Sequence, residues 1–176
     1  MKECVDVMAA TLATLARGNA VMPLRTVFKL PDSRDFFAVM PAYLGEPRSV
    51  GAKVITVFPG NHGTALDSHQ GAVLLFDAAN GSLVALLDAT SVTTIRTAAV
   101  SAVATRLLAR EGPVDVAILG AGVQGHSHLE AMHAVRPIAR LHVWSRSTVH
   151  ARELARVATE RFGGSTESRR RRREVG

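Results

Sequence analysis

The chain has 176 residues, of which 47 % are apolar and 5 % aromatic, as expected for a globular protein of one or two domains. Its 21 Lys and Arg exceed its 15 Asp and Glu, giving +6, and residues 165–176 carry half of this charge because they hold five Arg and two Glu. A single cysteine excludes an internal disulfide, and no apolar run approaches the roughly 18 residues of a membrane-spanning helix, so a cytoplasmic protein without a membrane partner is expected.

The first 112 residues predict a helix, a set of antiparallel strands and a second helix. Residues 5–16 repeat apolar side chains at helical spacing. Asn80-Gly81 predicts a hairpin that pairs residues 73–76 with residues 83–87, and residues 94–109 predict the second helix. The strands are predicted from short runs of β-branched and aromatic residues bounded by Pro, Gly, Asp and Asn, at residues 24–30, 36–40, 52–58 and 73–76.

After the helix-stopping Arg110-Glu111-Gly112-Pro113, the pattern alternates β-α-β-α, which is typical of the start of a doubly wound parallel sheet. The fold class is therefore α/β, with an N-terminal α+β domain over residues 1–112, part of a Rossmann domain over 113–164 and a basic tail, expected to be disordered, over 165–176. The second domain is predicted as strand 114–119, a glycine-rich turn, helix 126–135, strand 141–144 and helix 148–162.

The glycine-rich turn fits the G-x-G-x-x-G pattern in the context that dinucleotide binding requires, since a strand enters it and a helix leaves it. The first glycine permits the tight turn, the second lets the backbone approach a pyrophosphate, and the third allows close packing of helix on strand. The free N–H groups of the helix then face the phosphates. The predicted coenzyme contacts here are Gly120, Ala121, Gly122, Val123, Gln124 and Gly125.

The end of the second strand bears on which dinucleotide is bound. NAD-binding proteins usually carry Asp or Glu there, whereas this chain has Ser145, Arg146 and Ser147. A guanidinium between two hydroxyls suits a 2′-phosphate, so NADP(H) is favoured over NAD(H); alternatively, Arg146 is a solvated loop residue. No metal site is predicted, since His126 and His128 are two residues apart and face different sides of a helix.

Several sequence motifs between about residues 5 and 163 resemble those of the ornithine cyclodeaminase/mu-crystallin family and occur in the same order as in that family. The family includes ornithine cyclodeaminases, ketimine reductases, archaeal-type alanine dehydrogenases and mu-crystallin, which binds thyroid hormone. The motifs are PLRT at 23–26, VMPAY at 39–43, GAKV at 51–54, SHQ at 68–70, LDATSVTTIRTAA at 87–99 and ILGAGVQ at 118–124.

The resemblance implies a substrate site with two cations. Arg25 matches the position that binds the substrate carboxylate, for which a bidentate guanidinium is suited. Lys53, one of only three lysines beside 18 arginines, matches the active-site lysine, which either holds the carboxylate or polarises the reacting C=N. Met40, in the VMPAY motif, is included with the substrate-binding residues.

The resemblance also implies coenzyme contacts outside the glycine turn. Arg96 matches an arginine that contacts the coenzyme beside the substrate pocket. Ser68, His69 and Gln70 match a loop that leans over the nicotinamide, where His69 either positions groups by hydrogen bonding or relays a proton. Ser145, Arg146 and Ser147 stand where relatives often have Asn-Arg-Ser/Thr, a mild departure that still suits NADP(H).

The implied function is hydride transfer from NAD(P)H to the C=N of a cyclic ketimine or imino acid, in a homodimer formed through the N-terminal domain. Two alternatives remain: NAD-dependent cyclisation of ornithine to proline with loss of ammonia, and binding of NADPH and a small ligand without turnover. Nucleic acid is not an expected partner.

Compared with the family pattern, the chain is expected to be truncated, with its activity impaired or lost. Members run to roughly twice this length, and the family's catalytic aspartate lies in the part without a counterpart here, since the last Asp is Asp115. Two parallel strands would leave an unpaired edge and an uncovered apolar face, which predicts poor solubility. Arg169–Arg173 is either a basic tail for an anionic surface or, as favoured here, a non-native ending.

Overall fold

The computed structural model describes residues 1–163 and the backbone of residues 165–169. It divides into two compact units: an antiparallel-sheet unit, residues 10–93, and a parallel-sheet unit, residues 1–9 and 94 onward. The elements are α1 (Lys2–Ala16), β1 (Ala20–Val21), β2 (Thr26–Lys29), β3 (Phe36–Gly45), β4 (Arg48–Val57), a 3-10 turn (Pro59–Asn61), β5 (His69–Asp77), β6 (Leu83–Asp88), α2 (Ala89–Leu108), β7 (Val114–Leu119), α3 (Val123–Val135), β8 (Ile138–Trp144), α4 (Thr148–Phe162) and β9 (Ser165–Arg169).

The antiparallel-sheet unit is a six-stranded sheet with the order β1-β3-β4-β5-β6, in which β2 also pairs with β3. The predicted hairpin is confirmed, because β5 and β6 pair antiparallel and Gly81 adopts a φ of 78° in their connection. The small core of the unit contains Ala38, Ile55 and Ala89, with the side chains of Met40, Val57 and Val73 packed against it.

Helix α2 begins five residues earlier than the sequence predicts. Asp88, the last residue of β6, caps it: one carboxylate oxygen accepts a hydrogen bond of 2.6 Å from the backbone N–H of Ser91. Hydrogen bonds from Ser91 and Thr90 hold the pKa of Asp88 below its usual value. The sheet therefore passes directly into the helix at this residue.

The parallel-sheet unit carries the predicted β-α-β-α order. Strand β7 and helix α4 have the predicted bounds, whereas α3 begins at Val123, three residues before the predicted start. Both helices pack on one face of the sheet, with Leu129 and Leu154 buried against Leu141 and Val143. The α/β fold class is confirmed.

A third parallel strand, β9, pairs with β8, where the sequence predicts an open edge and a disordered tail. Gly163, at a φ of 68°, ends α4, and the backbone then runs beside β8 and pairs its edge. The polar sequence Ser-Thr-Glu-Ser-Arg has no apolar alternation, so it gives no signal of a strand. Residues 170–176, with most of the predicted tail, lie outside the described residues.

The compact units divide at residues 93 and 94, whereas the sequence analysis divides the chain at residue 112. The reason is the packing of α2, which buries Ala98, Ala99 and Ala102 against Val5 of α1 and Ala131 of α3. Small side chains allow this close approach of helices, which joins most of α2 to the parallel-sheet unit.

Candidate functional site

The glycine-rich turn connects β7 to α3 in the parallel-sheet unit. Gly120 has a φ of 117°, a backbone conformation that side chains other than glycine rarely adopt. Its N–H donates a 2.8 Å hydrogen bond to the carbonyl oxygen of Trp144, the last residue of β8. This bond places the turn directly beside the end of β8, where Ser145, Arg146 and Ser147 follow.

The other two glycines of the turn meet different surroundings. A Cβ on Gly125 would collide with the carbonyl oxygen of Gly120 and would lie 3.4 Å from a methyl group of Leu154. A Cβ on Gly122 would instead meet nothing within 4 Å. Gly125 thus permits the packing of α3 on the turn, while Gly122 leaves open space in front of the backbone, as the sequence pattern predicts.

Helix α3 opens at this space with Gly122 at its N-cap. Because the first N–H groups of a helix have no partners within it, they point toward the turn, together with the positive end of the helix dipole. The helix has 13 residues, so this dipole is well developed. A helix N-terminus that opens onto free space in this way is suited to binding a pyrophosphate.

The loop after β8 has a defined conformation. Ser147 caps α4, its side-chain oxygen accepting a 3.3 Å hydrogen bond from the N–H of His150, and Ser145 accepts a 3.3 Å bond from the N–H of Ser147. Arg146, between them, is exposed. The two hydroxyls therefore organise the loop that carries Arg146 beside the turn.

An open cleft of about 680 Å³ adjoins the glycine turn within the parallel-sheet unit. Its wall includes Ala121, Gly122 and Val123 of the turn, so it is continuous with the predicted coenzyme contacts. The remaining lining comes from α2, α3, α4 and the start of α1: Met1, Thr94, Ile95, His126, Ser127, Leu129, Glu130, His150, Val157, Arg161 and Phe162.

Met40, Lys53 and Val73 form a row across three neighbouring strands of the antiparallel sheet. Met40 of β3 pairs with Lys53 of β4, and Lys53 pairs with Val73 of β5, so the three side chains share one face. Arg25 directly precedes β2, whose first residue, Thr26, pairs with Val39, the neighbour of Met40. Arg25 is exposed, whereas Lys53 and Met40 are half-buried.

The Lys53 side chain is tied to α2. Its ammonium group donates a 2.5 Å hydrogen bond to the hydroxyl oxygen of Thr93. This contact was missed by the sequence analysis, because it joins residues 40 positions apart. The antiparallel-sheet unit therefore brings Lys53 and Met40 together and adds Thr93, while Arg25 lies directly before the neighbouring strand β2.

The predicted loop residues Ser68, His69 and Gln70 lie at the start of β5. The carbonyl oxygens of Ser68 and His69 accept hydrogen bonds from the N–H of Phe58, at 2.8 Å, and from the hydroxyl of Thr90, at 3.1 Å. The His69 and Gln70 side chains are exposed. Arg96 is exposed on α2, in the parallel-sheet unit. The coenzyme roles of these four residues stay predictions.

Within the described part of the chain, no three His, Cys, Asp or Glu side chains cluster as metal ligands would. No helix there combines the length and the apolar character needed to cross a membrane.

Comparison with known proteins adds three similarities. A model of the ornithine cyclodeaminase/mu-crystallin family matches residues 1–174. The ketimine reductase mu-crystallin of Mus musculus is 40 % identical over 151 residues, which cover 84 % of this chain and 48 % of that protein. The Delta(1)-pyrroline-2-carboxylate reductase of a Bacillus cereus strain is 32 % identical over 163 residues, covering 93 % of this chain and 50 % of that one.

Among solved structures, the Delta(1)-pyrroline-2-carboxylate reductase of Thermococcus litoralis, in complex with NADH and L-proline, is similar with a TM-score of 0.89 and 32 % identity. The match covers 98 % of this chain and 54 % of that one. The chain thus spans about half the length of the relatives that it matches.

Proposed function

Because this chain belongs to the ornithine cyclodeaminase/mu-crystallin family, we propose that it serves the nicotinamide-dependent reduction of a small cyclic imino acid. Membership confirms the resemblance deduced from the motifs. The reduction is favoured because the relatives with the cited identities are named as ketimine and pyrroline-carboxylate reductases. The observation that carries the proposal is the pairing of Met40 with Lys53 on one sheet face, with Arg25 directly before the neighbouring strand β2.

Arg25, Met40 and Lys53 suit an anionic substrate. Two cations beside a half-buried methionine offer charge for a carboxylate and an apolar contact for a small ring. Arg25 would bind the carboxylate as a fork, and Lys53, held by Thr93, would supply a point charge on the sheet face. These residues orient the C=N group and balance the negative charge of the substrate.

The residues of the glycine turn fit a dinucleotide, since Gly122 leaves open space and α3 offers its N-terminus. When bound, the nicotinamide group supplies the hydride. The backbone of Gly120–Gly125 would hold the pyrophosphate, and the loop of Ser145, Arg146 and Ser147 would hold the adenosine ribose.

We further propose a preference for NADP(H) over NAD(H). No carboxylate follows β8, and exposed Arg146 stands beside the turn, where its charge would attract a 2′-phosphate. The test compares the dissociation constants of NADPH and NADH, by coenzyme fluorescence, for the wild type and Arg146→Ala. We expect Arg146→Ala to weaken the binding of NADPH by about tenfold or more and the binding of NADH far less. Equal affinities of the wild type for the two coenzymes would contradict the preference.

Self-association through the antiparallel-sheet unit is also proposed. Edge strand β6 exposes apolar side chains on both of its faces, with Leu83, Val84, Leu86 and Leu87 between 44 % and 66 % exposed. An unprotected apolar edge of this kind favours pairing with a second copy. Sedimentation of the wild type and of Leu86→Lys tests this, and a monomeric wild type would refute it.

The activity is tested by following NADPH oxidation with Δ¹-pyrroline-2-carboxylate and Δ¹-piperideine-2-carboxylate. Lys53→Met is compared with Lys29→Met, a control at an exposed lysine of β2. We expect slow turnover by the wild type, which Lys53→Met abolishes and Lys29→Met leaves unchanged. NAD⁺-dependent release of ammonia from ornithine, without imine reduction, would instead support the cyclodeaminase alternative. Coenzyme binding with no turnover would support a binding protein.

A further inference from the structure

Thr93 stands over the sheet face that carries Lys53. Ala89 and Thr93 lie one turn apart on α2, and Ala89, 2 % exposed, is packed into the core with Ala38 and Ile55. Met40 and Val73, the cross-strand partners of Lys53, pack against the same core. The first turn of α2 therefore covers this face and presents the Thr93 hydroxyl to the lysine.

The hydrogen bond between the two side chains has a direction. The Lys53 ammonium has only protons to offer, so the Thr93 oxygen accepts at 2.5 Å and its own proton must point elsewhere. Among the described residues, no acceptor for this proton is found. Thr93 thus presents a hydroxyl donor directly beside a cation, on the sheet face that also carries Met40.

We propose that Thr93 is a substrate-binding residue of this site, whose hydroxyl accepts a hydrogen bond from the Lys53 ammonium and donates its own proton to the carboxylate of the imino acid. The two groups would offer adjacent donors, one charged and one neutral, to a single carboxylate. Because a lysine side chain has many rotamers, the bond to Thr93 also limits where the ammonium stands. This inference rests on the proposed function.

The experiment measures the reactivity of Lys53 in the full chain, independently of turnover. Trace acetylation with acetic anhydride, followed by peptide mass spectrometry, reports on Lys2, Lys29 and Lys53, which are the only lysines. Each protein is labelled with and without pyrrole-2-carboxylate, a planar ring carboxylate. The proteins are the wild type, Thr93→Val, Thr93→Ser and Thr97→Val.

Thr97→Val is a matched control, because Thr97 lies one turn further along α2 and, among the described residues, its buried hydroxyl oxygen has no hydrogen-bond partner. Circular dichroism verifies that each variant is folded. Thr93→Ser keeps the hydroxyl, so it separates loss of the hydrogen bond from loss of the side-chain shape.

The hydrogen bond to Thr93 holds the Lys53 nitrogen and restricts its attack on the acetylating reagent. We therefore expect Thr93→Val to speed acetylation of Lys53 by about threefold or more, with Lys2 and Lys29 unchanged. Thr93→Ser and Thr97→Val should label like the wild type. Pyrrole-2-carboxylate should protect Lys53 in these three proteins and fail to protect it in Thr93→Val.

Other results overturn the inference. Acetylation of Lys53 in Thr93→Val at the wild-type rate would refute the contact. If Lys53 of Thr93→Val is acetylated faster but pyrrole-2-carboxylate still protects it, Thr93 does not act as a donor to the carboxylate. Faster acetylation in Thr93→Val, with no protection in the wild type, would leave the contact standing and would count against carboxylate binding, and so against the proposed function itself.

Discussion

The carbonyl oxygen of Gly120 occupies the place where a Cβ of Gly125 would lie. The first and last glycines of the turn are therefore in contact, and α3 approaches β7 as closely as its backbone permits. Gly122, between them, has no neighbour in the direction of its missing side chain. The three glycines thus have separable roles, one in closing the turn, one in packing and one toward a ligand.

Alanine substitutions should separate packing from ligand binding. Gly125→Ala should lower the free energy of unfolding by about 1–3 kcal/mol, because the added methyl group overlaps backbone. Gly122→Ala should leave stability nearly unchanged, since its φ of −91° suits alanine and the space is open, yet weaken coenzyme binding. Thermal unfolding and coenzyme fluorescence measure the two effects. Equal losses of stability in both variants would contradict the assignment.

The Asp88 cap predicts an acid-sensitive contribution to stability. The pKa of this carboxyl is lowered by its hydrogen bonds to Ser91, so the folded state favours the charged form. Its contribution is present above the usual pKa of 3.8 and is lost as the pH falls below that value toward the folded pKa. Asp88→Ala should lower Tm by a few degrees at neutral pH, and the difference from the wild type should shrink in acid. A difference independent of pH would argue against the cap.

His133 is expected to make stability depend on pH in a second way, because its charged form is a cation, whereas that of Asp88 is an anion. Its ring stacks on Phe162 at 4.1 Å between centroids, and burial lowers its pKa below 6.5. The unfolded chain therefore binds the proton more readily, and this group destabilises the fold as the pH falls below 6.5. His133→Phe keeps a stacked ring and removes the charge. Its Tm should decline less than that of the wild type between neutral pH and mildly acidic pH, whereas parallel declines would exclude this role.

Thr97 carries a buried hydroxyl oxygen that no described residue satisfies. Thr97→Val replaces this hydroxyl with a methyl group of similar shape, so the desolvation cost disappears. Urea denaturation should show a gain of about 1 kcal/mol in the free energy of unfolding. A loss of the same size would mean that a partner outside the described residues binds this oxygen.

Elements with a clear periodic pattern could be predicted from the sequence. Strand β7, between Pro113 and the first glycine, and helix α4, between the Ser147 cap and Gly163, have the predicted bounds. In both cases a strong local signal marks each end. The glycine-rich turn and the loop that follows β8 could be predicted from local signals of the same kind.

What could not be predicted depends on contacts distant in the sequence. The first turn of α2 is rich in β-branched residues of low helical propensity, and the Asp88 cap and the packing of Ala89 stabilise it. The Lys53–Thr93 contact and the row of Met40, Lys53 and Val73 require the strand register. Strand β9 forms because β8 offers an unpaired edge, which its own residues do not reveal.

The face of the parallel sheet that α3 and α4 do not cover carries a fluorescent residue that can report binding. Ala117 and Leu119 are exposed there, and a shallow cleft of about 370 Å³ lies along β7 and β8 with His142 and Trp144 in its wall. Trp144 is the only tryptophan of the chain. Its emission therefore reports on this face alone, without labelling: any polypeptide or small molecule that covers the cleft should shift the fluorescence to shorter wavelength and shield it from a soluble quencher.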